Sequence, residues 1–353
     1  MRESSLEYVI SILKGERPKA EAEWYETLGF MYAHRIAGLF YKRAERLEIP
    51  LPPKAEKLLK ETYEKQKRRT EYMREETKKL SLALIAELAE HIFLKGSVLS
   101  NLTEESAIYA DGERVSNDID ILVRQAELNV ACEALKKQGF VQGRYESKLG
   151  KVIPFSRTEV LKRRMTRGET APFLKATENP EEPYLEVDIN FSLGNEPGEK
   201  DALLAEMLET RKLYAGKTSV YVSDEEMFFL HLVLHQYKES ALYFTAARGK
   251  DLDLYKLADI YYLWRAEAFD KERLKALSVK YGLKREIGAV LSQVGKIFND
   301  TEIVTASEEY GGLQPEVYDY ERKKRYRWTA GVSERIRIFD GKAYLREKKE
   351  NVE

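Results

Sequence analysis

The chain has 353 residues, 34% of them charged and 43% hydrophobic, an ordinary balance for a globular protein and enough length for two or three compact units. Lys+Arg 59 against Asp+Glu 60 gives a net charge of -1, so no global basic signal for nucleic acid exists and any polyanion site must be a local patch. The single Cys132 excludes a disulfide framework and cysteine-rich metal sites, and neither a secretory leader nor an apolar run of about 20 residues is found, which sets the expectation of a cytoplasmic protein without membrane contact.

Residues 4–47 read as two helices broken at Gly15-Glu16-Arg17-Pro18 and stopped by the prolines of 49–53. Residues 54–90 contain neither Pro nor Gly and predict one long helix, about 55 Å at 1.5 Å per residue. Its basic residues, Lys65, Lys67, Arg68, Arg69, Arg74, Lys78 and Lys79, interleave with glutamates, which predicts an ion-paired face rather than a nucleic-acid surface.

The apolar strand 91–94 then runs into Lys95-Gly96-Ser97, a turn whose backbone N–H groups and hydroxyl suit phosphate oxygens. It is not a Walker-type loop, because the Gly-Lys-Ser/Thr ending is missing. Twenty residues on, Asn117-Asp118-Ile119-Asp120-Ile121-Leu122-Val123 alternates as a strand, so both carboxylates share one face about 7 Å apart. Paired Asp at this spacing also occurs in solvated strands, and a lone Gly-Ser carries little. Together they favour cations, since carboxylates buried in such apolar company are costly without counter-charge or donors.

Residues 128–138 predict a helix ended by Gly139, and 140–191 look mainly extended. Residues 141–176 hold nine basic side chains against three acidic ones, a local excess able to hold a triphosphate or an anionic acceptor, or equally a solvated strand pair and short helix. Leu185-Glu186-Val187-Asp188-Ile189-Asn190-Phe191 is a further strand with Glu186, Asp188 and Asn190 on one face. Asp188 is the candidate third carboxylate, as base or as metal ligand. A helical region follows from Ser223, an N-cap with Glu226 three on, to about residue 298. His231 and His235 stand at i, i+4, but no third His, Cys or metalloprotease Glu accompanies them, so packing or site-lining roles are favoured over zinc. Lys238, one turn on, is a candidate phosphate contact. The charged, Tyr-rich tail after residue 301 predicts a hairpin around Asp340-Gly341.

Leu94-Lys95-Gly96-Ser97-Val98-Leu99, Arg114 to Val123 with its Asp118-Ile119-Asp120, and the third-carboxylate strand resemble the nucleotidyltransferase superfamily of DNA polymerase β type. More narrowly, the chain is similar to a large bacterial nucleotidyltransferase family with Leu-Lys-Gly and Asp-x-Asp motifs, over most of residues 54–265. The family's third strand commonly continues Asp-Leu-His-Trp, whereas here Asn190 replaces the imidazole, so a role for that histidine does not carry over. The gap before Asp118 contains Thr103-Glu104-Glu105-Ser106 and Asp111-Gly112-Glu113, and beside the nucleotidyltransferases that these motifs resemble it is long, which implies an inserted loop at the rim of the site. The resemblance implies an α+β protein in which a polymerase-β-type core, a small mixed sheet with helices, is flanked by helical N- and C-terminal regions. The expected organisation is a helical region 1–90, a catalytic core 91–200, a helical domain 201–300 and a tail 301–353. It implies transfer of a nucleoside monophosphate to a hydroxyl acceptor with pyrophosphate released, Asp118, Asp120 and Asp188 being catalytic and metal-binding, and Lys95, Gly96, Ser97 and Lys238 nucleotide-binding. Magnesium is the expected metal, manganese the alternative, and ATP the expected donor. The acceptor is expected to be a small molecule or a peptide or protein. The rival readings are a tRNA-modifying, toxin-like transferase and a catalytically silent nucleotide-binding module.

Overall fold

A computed structural model describes residues 1–87, 90–101 and 108–348. The Thr103-Glu104-Glu105-Ser106 part of the expected rim loop lies outside the described residues. The fold is α+β, with fifteen α-helices, one six-stranded mixed sheet and two small sheets among the described residues. Two compact units are formed, one from Met1–Tyr63 with Phe229–Glu353 and one from Glu64–Phe228. No helix among the described residues is long and apolar enough to cross a membrane.

Glu64–Phe228 carries the six-stranded sheet. Its strands are β1 (His91–Leu94), β2 (Ile119–Val123), β3 (Val141–Glu146), β4 (Lys151–Pro154), β5 (Phe173–Ala176) and β6 (Tyr184–Asn190), in spatial order β1-β2-β6-β5-β3-β4. Only β2 and β6 pair in parallel, with Asp120 opposite Asp188; every other pair is antiparallel. β1, the end strand of the sheet, and β2 beside it are both buried along their whole length, in keeping with their mainly apolar runs. β6 alternates: Leu185, Val187 and Ile189 are buried, while Tyr184, Glu186, Asp188 and Asn190 are half-buried on the opposite face. The helix Leu128–Lys137 buries Leu128, Ala131, Ala134 and Leu135 and gives way to Gly139 at φ +84, a conformation glycine adopts at no steric cost. Within the mainly extended stretch stand the strand pair β3–β4 and a short helix, Arg157–Thr166, started by a capping box of Ser156 and Glu159, as the second of the two readings of residues 141–176 had it.

The long helix runs Pro53–Ala86. Its basic face is ion-paired as expected, though largely to residues outside the helix: Arg68 with Glu181, Arg69 with Glu182, Arg74 with Asp111, and Lys79 with Glu76.

The other unit is mainly helical. Residues 4–47 form three helices rather than two, Glu3–Lys14, Trp24–Ala33 and Ala37–Arg46, because Arg35 takes a left-handed φ of +55 between the last two. The helix Glu225–Ala241 is capped by Asp224, which accepts from the Met227 N–H at 3.0 Å, and not by Ser223. The tail corrects the expected hairpin. Asp340 and Gly341 open a 3-10 turn, Gly341–Tyr344, and Leu345–Glu347 pairs with Lys324–Trp328. The real hairpin joins Val317–Asp319 to Lys324–Trp328, where the Asp319 carboxylate accepts from the Glu321 and Arg322 N–H groups and fixes the turn.

Candidate active site

Leu94 closes β1 opposite Asp120, so the following residue leaves the sheet beside the carboxylate row. Lys95 turns the chain at φ +49, an uncommon conformation for a residue with a side chain, and starts the short helix Lys95–Leu99. Its ammonium lies 2.7 Å from Asp120 Oδ1. Gly96 is required by packing as well as by any phosphate approach, because a Cβ there would fall 2.6 Å from both Cβ and Oγ of Ser116. Ser116 in turn donates from its hydroxyl to the Asp118 carbonyl at 2.8 Å and to Asp118 Oδ1 at 3.1 Å, orienting that carboxylate. Arg69 Nε holds the Ser116 carbonyl at 3.1 Å, which ties this loop to the long helix.

Parallel pairing of β2 and β6 brings the third carboxylate alongside the first two. One carboxylate oxygen from each of Asp118, Asp120 and Asp188 lies within 4.8 Å of the others, a group able to hold a metal ion. No other cluster of three or more His, Cys, Asp or Glu side chains with that capacity is found among the described residues. Asn190 donates to Asp120 Oδ1 and to the Ile121 carbonyl, both at 3.4 Å, so this amide braces Asp120.

The electrostatics are those of a site with too much negative charge. Burial, reinforced by Asp120 and Asp118, pushes the Asp188 carboxyl up to about 8. Burial likewise raises Asp120 to about 6, against the pull of Lys95. Glu186, on the same strand face, is raised by burial and by the same two aspartates. Burial disfavours the Lys95 ammonium, but Asp120 and Asp118 outweigh it and hold its proton more firmly than usual. Asp120 Oδ2 is buried with no hydrogen-bond partner among the described residues. A buried anionic oxygen without a donor is costly, and hard carboxylate oxygens are the ligands that magnesium or manganese take. The residues present therefore fit a divalent cation.

A family model described as an uncharacterised nucleotidyltransferase matches residues 20–299. The chain belongs to that nucleotidyltransferase family. Membership makes it an enzyme of nucleotidyl transfer that uses a nucleoside triphosphate. Comparison with curated proteins and with solved structures gave no match.

Of the residues expected from the sequence, Lys95, Gly96, Ser97, Asp118, Asp120 and Asp188 come together in Glu64–Phe228. Lys238 lies on Glu225–Ala241, in the other compact unit, as do His231 and His235. His235 Nε2 is 3.3 Å from Glu239 Oε1, an i, i+4 pairing within the helix. Sequence reasoning missed Ser116 and Arg69. Ser116 had a local signal, a hydroxyl two residues before the first Asp; Arg69 had none, being 47 residues from the carbonyl it holds.

Proposed function

We propose that this family member is a divalent-metal-dependent transferase that moves a nucleoside monophosphate from a nucleoside triphosphate to an acceptor hydroxyl. The observation that carries this reading is the cluster of Asp118, Asp120 and Asp188 beside the Gly96-Ser97 turn, with an unsatisfied buried oxygen on Asp120. Magnesium, held by the three carboxylates, would neutralise phosphate charge and favour ionisation of the acceptor hydroxyl. Ser97 and the backbone of the turn contact the phosphates. Lys95, already beside Asp120, adds a cation at the same place. The acceptor oxygen bonds to the α-phosphorus while the bond from that phosphorus to the bridging oxygen breaks, and pyrophosphate leaves with the electron pair. The acceptor proton passes to Asp188 or to water. Positioning and charge neutralisation supply most of the rate in such transfers.

ATP is the donor to test first. The expected result is pyrophosphate release that requires magnesium and is lost in chelator; a tight nucleotide complex that releases no pyrophosphate with any acceptor fraction would overturn the transferase reading for this chain. Within it, Ser97→Ala is expected to lower kcat/KM for the triphosphate by roughly tenfold to a hundredfold, the worth of one hydrogen bond to a charged group at about 1.5–3 kcal/mol. Steady-state kinetics check this, and unchanged constants would place the phosphates elsewhere.

A further inference from the structure

The helix Arg157–Thr166 is well started and yet has no fully buried residue. The Ser156 hydroxyl accepts from the Glu159 N–H at 3.3 Å, and the Glu159 carboxylate accepts from the Ser156 N–H at 2.8 Å, but none of its ten residues is buried. Helices this short are normally held by an apolar face packed against the body of the protein. Here Leu161 and Met165, one turn apart on one face, are 45% and 76% exposed, and Leu149 at the tip of the β3–β4 hairpin is 60% exposed.

Exposed cations accompany these aliphatic side chains along the same stretch of chain, and Arg144 of β3 acts electrostatically on Glu159 of the helix. Arg144, Lys148, Lys151, Arg157 and Lys162 are exposed and form no salt bridge among the described residues. The three other arginines of the helix and its end are engaged: Arg163 lies over the Phe155 ring, Arg164 donates to Asn129, and Arg167 meets Glu169. In a chain of net charge -1, this is a local excess of cations in the same stretch of chain as the exposed aliphatic side chains.

Three kinds of polyanion could answer it, and the apolar side chains choose among them. Single-stranded nucleic acid is held by free aromatic faces as well as cations, but Arg163 covers Phe155, and Tyr145 and Tyr184 are stacked on each other at 4.7 Å. A membrane needs a wide apolar face with aromatic anchors, and this helix, RTEVLKRRMT, has no aromatic residue. An acidic peptide that also carries apolar residues uses both features, its carboxylates meeting the exposed cations and its apolar side chains covering Leu161 and the adaptable Met165.

The ridge also leads to the reaction site. The Gly168 carbonyl, just past the helix, accepts from the Phe191 and Ser192 N–H groups at 2.9 and 3.1 Å, and Thr170 N–H donates to the Ile189 carbonyl at 2.9 Å. Glu169 thus bridges Asn190, two residues from Asp188 on the same strand face. We propose that Arg157–Thr166 is the docking ridge for an acidic, apolar-bearing protein segment that presents the acceptor to Asp188. Docking stands independently; only the acceptor role rests on the transferase reading above.

The test is fluorescence anisotropy of a labelled synthetic peptide of Glu and Leu with a central Ser, titrated with the full chain without metal or nucleotide. Saturable binding that weakens with salt is expected. Leu161→Ser with Met165→Ser, and separately Arg157→Glu with Lys162→Glu, should each weaken it at least about tenfold without moving the melting temperature, because all four side chains are exposed. Asp118→Asn should bind the peptide as the unaltered chain does, so loss of transfer and loss of docking are read apart. Equal binding of an all-Glu peptide would overturn the proposal, as would tighter binding of single-stranded RNA, or of phosphatidylglycerol vesicles, that is lost in the Arg157/Lys162 variant.

Discussion

Asp118→Asn and Asp120→Asn are each expected to abolish magnesium-dependent transfer, but to move the stability of the metal-free protein in opposite directions. Asp118 is one of the charges that, after burial, raise the carboxyls of Asp188, Asp120 and Glu186 above their ordinary range. Replacing it with a neutral amide relieves like-charge repulsion, so the melting temperature in chelator should hold or rise. Asp120 differs because it is buried and carries the Lys95 ammonium at 2.7 Å. Its loss leaves that cation without its nearest counter-charge, and removing one partner of a buried pair costs about 3 kcal/mol or more, equivalent to a drop of roughly 5 °C or more in a unit of this size. Thermal unfolding in chelator, alongside single-turnover pyrophosphate release, reads both effects. Near-normal turnover in magnesium by either variant would sink the active-site assignment.

How much of this was legible in the sequence follows from which signals are local. Both strands of the carboxylate row could be read, because alternation is a property of neighbouring residues: Ile119 and Ile121 mark β2, and Leu185, Val187 and Ile189 mark β6. That Asp120 and Asp188 stand opposite each other is a matter of register between strands 68 residues apart, and no local pattern carries it; only the likeness to a known family pointed to it. Lys95 could be placed at the phosphate turn by its motif, whereas its pairing with Asp120 depends on a left-handed φ that no residue type announces. The helix Arg157–Thr166 could be read only as one of two alternatives, and for a physical reason. None of its residues is fully buried, so it lacks the long apolar stripe by which helices are recognised, and its capping box at Ser156 and Glu159 is its clearest local mark. The tail failed in another way. Asp340-Gly341 has the composition of a hairpin turn, but Asp340 spends its carboxylate on the Lys342 N–H to open a 3-10 turn, and Asp319 makes the hairpin instead.

Asp188→Asn should slow single-turnover transfer by about 10²–10⁴ if its main work is to take the acceptor proton, and it should leave a second mark that does not depend on activity. Without metal, burial above all pushes the Asp188 carboxyl up to about 8 and the Asp120 carboxyl up to about 6. An unfolded aspartate titrates near about 4. A carboxyl raised on folding binds its proton more tightly in the folded state, so its contribution to stability is whole below about pH 4 and is lost as pH rises through the folded value. The melting temperature in chelator should therefore decline from about pH 4 to about pH 8, with Asp188 responsible for the upper part of the fall. An amide cannot ionise, so Asp188→Asn should flatten the curve between about pH 6 and pH 8. Magnesium should flatten it in the unaltered protein by favouring the ionised carboxylates. Glu186 is the control, because it shares the strand face and is also raised by burial but stands outside the cluster of three. Glu186→Gln is expected to keep most of the single-turnover rate. A Glu186 variant that is dead beside an active Asp188 variant, or a melting curve that keeps its upper slope in Asp188→Asn, would move the third carboxylate to Glu186.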